Sequence, residues 1–163
     1  MIRQAVRSDL DTIYELAQFC AKAMITKKKY QWDQQYPTSA RFEKDIELQE
    51  SYVLEQNHQV TGTIVVTELI DDEYIPVQWL TDNKSNVYIH RLAVQPQYWR
   101  TGYAQQLMDW AEVYAKNQRY QSVRLDTLSQ NKRIQNFYET RGYQKSGSIF
   151  FHNRVNTLFT VMN

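Results

Sequence analysis

The chain has 163 residues, 42% hydrophobic and 23% charged, with 19 basic against 18 acidic side chains and a net charge of +1. That is the composition of a globular protein long enough to bury a real core, and it predicts a single domain over residues 1–163. The near-zero charge argues against a nucleic-acid partner, which draws a basic excess or stripe, and no apolar run reaches membrane-spanning length.

Met1 to Val6 reads as a first strand. Ser8 and Asp11 form a partial capping box that opens a helix through about Ile25, with the apolar stripe Leu10, Ile13, Ala17, Cys20, Ala21 and Met24. Cys20, the lone cysteine, reads as a buried thiol in a reducing compartment. With an N-terminus, MIRQAVRSDL, that shows no signal-peptide h-region, it predicts a cytoplasmic protein. Lys27, Lys28 and Lys29 read as a solvated helix end. Thr38 is placed to cap a second helix through about Glu47. Ser51–Glu55 and Gln59–Glu68 form a predicted hairpin turning at Asn57 and His58.

Leu69 to Ser85 has no period, and connections of that length are usually functional or mobile. A strand follows from Val87, then a helix carrying Ala104, Leu107, Met108, Ala111 and Ala115 at three- and four-residue spacing. Ser122–Leu128 is a further strand, and Lys132–Thr140 a helix stopped by Gly142. Tyr143–Phe151 and Asn156–Met162 make a final hairpin. The order is a strand, two helices, three strands, a helix, a strand, a helix and two strands. It predicts an α/β (α+β) fold: a mixed, mostly antiparallel sheet of about seven strands flanked by four helices.

The stretch from Val87 to Leu107, VYIHRLAVQPQYWRTGYAQQL, is a strand, a turn around Gly102 and a helix N-terminus. The first helical turn leaves backbone N–H groups unpaired and carries the positive end of the dipole, so it suits a phosphate. The glycine-rich nucleotide loops and the Gly-x-Ser-x-Gly elbow are missing. His58, His90 and His152 stand without partners at metal spacing, so no metal is expected.

LAVQPQYWRTGYAQQLM, followed by RLDTLSQNKRIQNFYETRGYQ, resembles the acetyl-CoA-binding half of the GNAT N-acetyltransferase superfamily. The motifs in register are the turn, Asn131, Phe137-Tyr138 and Arg141-Gly142-Tyr143. The resemblance implies that the backbone of Leu92, Ala93 and Val94 pairs with the pantetheine arm of acetyl-CoA. It implies that amides of Arg100, Thr101, Gly102, Tyr103, Ala104 and Gln105 cradle the pyrophosphate, that Asn131 holds the pantetheine side, and that Tyr138 sits near the sulfur. One position departs from the family pattern of Arg or Gln, two residues, Gly, one residue, then Gly or Ala. Trp99 stands first, with Arg100 one place later, and an indole lacks the polar contact of Arg or Gln.

Direct aminolysis of a thioester expels a thiolate, with a thiol pKa of about 8.5 on the cysteine scale. A tyrosine hydroxyl of pKa about 10 can protonate it, which casts Tyr138 as catalytic acid; otherwise Tyr138 extends the helix stripe of Ile134 and Phe137. An acceptor amine must lose a proton first. His90 is the leading candidate base, with a core histidine as the alternative reading. Asp126 comes second, unless it forms a strand-face ion pair with Arg124. Proton loss through ordered water is equally compatible.

The segment Tyr30–Tyr36 occupies the place where the family builds acceptor walls. Trp32 and Tyr36 are candidates to line a pocket and Asp33 to pair with a cationic amine, against a reading as loop anchors. The 69–85 connection, with Asp71, Asp72, Glu73 and Trp79, is either a further acceptor wall or a solvated loop. The expected partner is a small-molecule primary amine, without nucleic acid or membrane, and the resemblance is compatible with a homodimer. Two alternatives stay open: a non-catalytic acyl-CoA sensor, and a protein or peptide N-acetyltransferase.

Overall fold

The computed structural model describes residues 1–29, 32, 33, 36–151 and 154–163. The strands form one seven-stranded mixed sheet in the order β1-β2-β3-β4-β5-β7-β6, accompanied by four helices, as the element order predicted. The chain divides into two compact units, Met1–Val66 with His90–Ala111, and Thr67–Ile89 with Glu112–Asn163.

The first unit holds β1 (Ile2–Gln4), α1 (Leu10–Thr26), α2 (Ser39–Glu47), β2 (Ser51–Gln56) and β3 (Gln59–Thr67) up to Val66. It also holds the second half of β4 (Asn86–Val94) and the first part of α3 (Tyr103–Asn117). The apolar stripe of α1 does what its spacing demands: Leu10, Ile13, Leu16, Ala17, Cys20 and Ala21 are buried with Phe42 of α2, Val53, Val60 and Ala93. Thr38 caps α2, its hydroxyl accepting from Arg41 N–H at 3.1 Å. The β2–β3 hairpin turns on Asn57 and His58, at φ 49° and 62°. Paired positive φ values match the right-handed twist of the strands they join.

At the start of α1 the expected capping box gives way to another device. A short 3-10 turn, Arg7–Asp9, precedes the helix. The Asp9 carboxylate accepts from Val6 N–H at 2.8 Å and from the two terminal guanidinium nitrogens of Arg3 at 2.8 and 3.0 Å. A carboxylate with an arginine across from it is a stronger acceptor than the Ser8 hydroxyl, so the helix starts around Asp9.

The second unit holds the start of β4, the end of α3, β5 (Ser122–Leu128), α4 (Lys132–Thr140), β6 (Gln144–Phe151) and β7 (Arg154–Met162). Asn86, Val87 and Tyr88 pair in parallel with Ser122, Val123 and Arg124, while β5–β7 and β7–β6 are antiparallel. Gly142, at φ 95°, ends α4, and the Tyr143 N–H returns to the Tyr138 carbonyl at 3.1 Å.

The 69–85 connection is anchored rather than loose. A 3-10 turn at Asp72–Tyr74 places Tyr74 in a cluster with Trp79, Tyr88 and Leu158. The buried Arg124 donates to the Thr81 and Asp82 carbonyls at 2.7 and 2.8 Å, and to Asn83 Oδ1 at 2.7 Å. Aromatic burial and a guanidinium fork together hold a segment that has no periodicity of its own.

Candidate active site

In the first unit β4 leads into the turn through a fixed carbonyl. Val94 O accepts from the Trp99 indole N–H at 2.7 Å and from the Cys20 thiol at 3.1 Å. Trp99 therefore has a polar task after all, one directed inward, and its ring packs on the core of this unit with Lys27 Nζ 4.9 Å from its centroid. Burial pushes the Cys20 thiol up to about 12, the Val94 bond offsetting part of that, so Cys20 stays a thiol.

Pro96–Tyr98 is a 3-10 turn, and the chain then takes positive φ at Arg100 (67°) and Gly102 (89°). A Cβ on Gly102 would meet nothing within 4 Å in the protein, so what glycine supplies here is the left-handed conformation. Gln106 closes the first α-helical bond, to the Gly102 carbonyl at 3.0 Å. The amides of Tyr103, Ala104 and Gln105 thus belong to the first turn of α3, where helix geometry offers no i−4 carbonyl. The Thr101 amide is engaged with Tyr98 O at 3.3 Å, and the Thr101 hydroxyl donates to the same oxygen at 2.5 Å. Arg100, Thr101, Gly102 and Gln105 are exposed, Tyr103 and Ala104 half-buried. An anion would meet helix-end amides and the Arg100 side chain there.

Upstream on β4, Arg91 lies at φ 48° inside the strand, in the left-handed region that an L side chain rarely adopts. Its guanidinium donates to both oxygens of Asp45 on α2, at 2.7 and 2.8 Å, and Arg41 donates to Asp45 at 3.0 Å. Asp45 is fully buried and Arg91 is 8% exposed. Burial works against the Arg91 charge, but Asp45 and the nearby Tyr36 outweigh it and hold its pKa above the ordinary arginine value. The neighbouring His90 imidazole is held well below its usual range, first by burial and then by the Arg91 and Arg41 cations. His90 is therefore neutral at pH 7, with a lone pair to offer and a weakened hold on a proton. Leu92 is half-buried, and Ala93 and Val94 are buried.

The second unit carries the other candidates. Asn131 caps α4, its Oδ1 accepting from Ile134 N–H at 3.3 Å. Tyr138 is 5% exposed and packs against Phe137, Tyr143 and Phe159. Burial, then the Asp126 carboxylate, raises its pKa, so the phenol keeps its proton. Arg141 after α4 makes a forked ion pair with Glu112 of α3, at 3.0 and 2.7 Å. The expected pairing of Asp126 with Arg124 is replaced by other partners. Asp126 accepts from the Tyr74 hydroxyl and from Asn156 Nδ2 at 2.6 Å, while Arg124 turns to the 81–83 loop and the Tyr88 hydroxyl at 3.0 Å. Carbonyls arrayed around a guanidinium fork satisfy more of its donors than one carboxylate two residues away on the strand.

The model of the acetyltransferase (GNAT) family matches residues 10–143. The chain belongs to that family. It is therefore an acyltransferase of the acetyl-CoA-using kind. The GNAT fold recurs in solved structures. A candidate acetyltransferase from Staphylococcus aureus Mu50 is 26% identical, with 99% of this chain and 98% of that one covered and a TM-score of 0.78. A GNAT-family acetyltransferase from Streptococcus agalactiae 2603 is 23% identical over 100% and 95% of the two chains, with a TM-score of 0.83. PaiA N-acetyltransferase from Thermoplasma acidophilum, solved in complex with coenzyme A, is 15% identical over 100% and 98%, with a TM-score of 0.75. No curated protein matches the sequence.

The segment where GNAT enzymes build acceptor walls serves here first as an anchor. Trp32 is 6% exposed and belongs to the core of the first unit. The Asp33 carboxylate accepts from Tyr36 N–H at 2.9 Å, and Asp33 N–H donates to the Tyr36 carbonyl at 3.0 Å, closing a turn. Tyr36 is half-buried beside Arg91. Tyr30, Gln31, Gln34, Gln35 and His152 lie outside the described residues. Sequence reasoning missed Asp45 and Arg91. They sit 46 positions apart, and the only local signal was a carboxylate on the apolar face of a short helix beside Phe42.

Proposed function

We propose that this GNAT enzyme transfers an acetyl group from acetyl-CoA to a primary amine of a small molecule, by direct attack in a ternary complex, with 1–163 acting as one domain. The observation that carries the reading is the turn at Gly102, which opens a 15-residue helix by its N-terminal amides in a chain of this family. Leu92, Ala93 and Val94 would hold the pantetheine arm by their backbone, and Asn131 would hold the pantetheine side of the cofactor. The amides and side chains from Arg100 to Gln105 would hold the pyrophosphate. Acetyl-CoA supplies the activated carbonyl.

The amine nitrogen bonds to the thioester carbon, the carbon–sulfur bond breaks, the departing sulfur takes the Tyr138 proton, and the tyrosinate regains a proton from the acetylated nitrogen. A phenol kept protonated by burial suits that task. His90, neutral at pH 7, accepts the proton that the ammonium must lose. Holding the two substrates together is a term worth about 7–11 kcal/mol. Trp32, Asp33 and Tyr36 would shape the acceptor side by anchoring its turn. No helix among the described residues is long and apolar enough to cross a membrane; a cytoplasmic setting is part of the same proposal.

The test is thiol release from acetyl-CoA across polyamines, amino acids, aminoglycosides and peptides, with wild type and Tyr138→Phe side by side. The expected result is turnover of a small amine by wild type and a kcat about 10²-fold lower for the variant, with CoA affinity within about twofold. Wild type that binds CoA yet acetylates nothing in the panel is a sensor. Turnover of peptides alone moves the acceptor class.

A further inference from the structure

The strand residues assigned to the donor lie between two fixed points. At one end Val94 O is held by the Trp99 indole and the Cys20 thiol. At the other end Arg91 sits at φ 48°, a conformation that L side chains with a Cβ rarely keep without an external restraint. The restraint is visible. Asp45, fully buried on α2, grips the Arg91 guanidinium through two short charge-assisted bonds, and Arg41 completes its shell. An ion pair this deeply buried contributes little net stability, since desolvation of both charges offsets most of their attraction. What it does supply is geometry: a two-point fork fixes both the place and the orientation of residue 91.

We propose that Asp45 is a positioning residue for the donor substrate, which holds Arg91 in the left-handed conformation and so aims the Leu92 and Ala93 peptide groups toward the pantetheine arm. A left-handed residue inside a strand turns the peptide group that follows it, so the conformation held at residue 91 sets the direction of the Leu92 and Ala93 peptide groups. Gly62 of β3 shows how little slack the strand has. A Cβ there would come within 2.9 Å of Leu107 Cδ1 and 3.2 Å of the Ala93 carbonyl. The proposal rests on the reading that the pantetheine arm runs along β4, and the ligands of the test separate the two.

The deciding pair is Arg91→Ala against Arg91→Gly. Both delete the guanidinium and both leave Asp45 its Arg41 partner, but only glycine holds a left-handed φ without help. Binding is measured by calorimetry with CoA and with adenosine 3′,5′-bisphosphate, which has the nucleotide end of CoA but no pantetheine arm. For Arg91→Ala, CoA affinity should fall roughly tenfold while bisphosphate affinity stays within about twofold. For Arg91→Gly, CoA affinity should stay within about threefold of wild type. Asp45→Asn, which strips Arg91 of its countercharge, should behave like the alanine variant, and it decides the matter against wild type if Arg91→Ala does not fold. Equal CoA affinities for the alanine and glycine variants overturn the proposal, as does a parallel loss of both ligands. Wild type that binds the bisphosphate and CoA equally well removes the underlying reading instead.

Discussion

Two buried guanidinium groups, one in each unit, are balanced in opposite ways. Arg91 in the first unit meets a buried carboxylate, which keeps its pKa above the ordinary arginine value despite burial. Arg124 in the second unit meets carbonyls, an amide, hydroxyls and the faces of Trp79 and Tyr88, 4.6 and 5.7 Å from its carbon. Burial lowers its pKa, and Tyr88 and Asp82 offset that only in part. The lesson concerns what each arrangement fixes. Neutral acceptors on three consecutive residues let Arg124 hold a whole loop. A single carboxylate lets Asp45 hold one residue of one strand.

The largest effect should come from breaking the charged arrangement on one side only. Asp45→Ala leaves the Arg91 cation buried without its countercharge and should cost about 3–5 kcal/mol in urea melts. Arg124→Met, which leaves neutral acceptors behind, should cost less, about 1–3 kcal/mol. Its mark should be faster hydrogen exchange in residues 79–83. Equal costs for the two variants would erase the distinction.

A smaller effect belongs to His90, which lies beside the Arg91 and Arg41 cations. Its folded pKa lies below the ordinary 6.5. Below that pH the unfolded chain therefore takes up a proton that the folded chain refuses, and stability falls as pH drops. The slope for one proton is at most about 1.4 kcal/mol per pH unit. His90→Gln should flatten the loss between pH 7 and pH 5.5, read from urea midpoints. A steeper loss in the variant would put the proton elsewhere.

The smallest effect is kinetic. Cys20 is buried in the first unit with its thiol on Val94 O. A thiol reagent at pH 8 should label it only as that unit opens. Asp45→Ala should speed labelling more than Arg124→Met does. The reverse order would mean that Asp45 does not govern access to Cys20.

Much of the fold was legible because periodicity is local. The α1 stripe, the Asn57-His58 turn, the Gly142 stop and the sheet's strand count all follow from residues within a few positions of one another. The proposed site rests on equally local signals: Gly102 and the helix behind it suit an anion, and the family pattern proposes Asn131 and Tyr138. Pairings across the chain were not. Asp126 and Arg124 looked like partners because they share a strand face, and each found better-placed donors and acceptors elsewhere. Trp99 looked like a lost polar contact, and its indole N–H turned inward to Val94 O.

The sequence by itself determined which segments are strands and helices, their order and the family, and it proposed the place for a phosphate. Those depend on spacing, capping and backbone permissiveness, which act over a turn or two of chain. Only the tertiary structure decided that Asp45 holds Arg91, that Arg124 holds the 81–83 loop, and that Trp32 and Asp33 anchor their own segment. A buried charge must find its partner in three dimensions, and no local pattern encodes which distant side chain will be there.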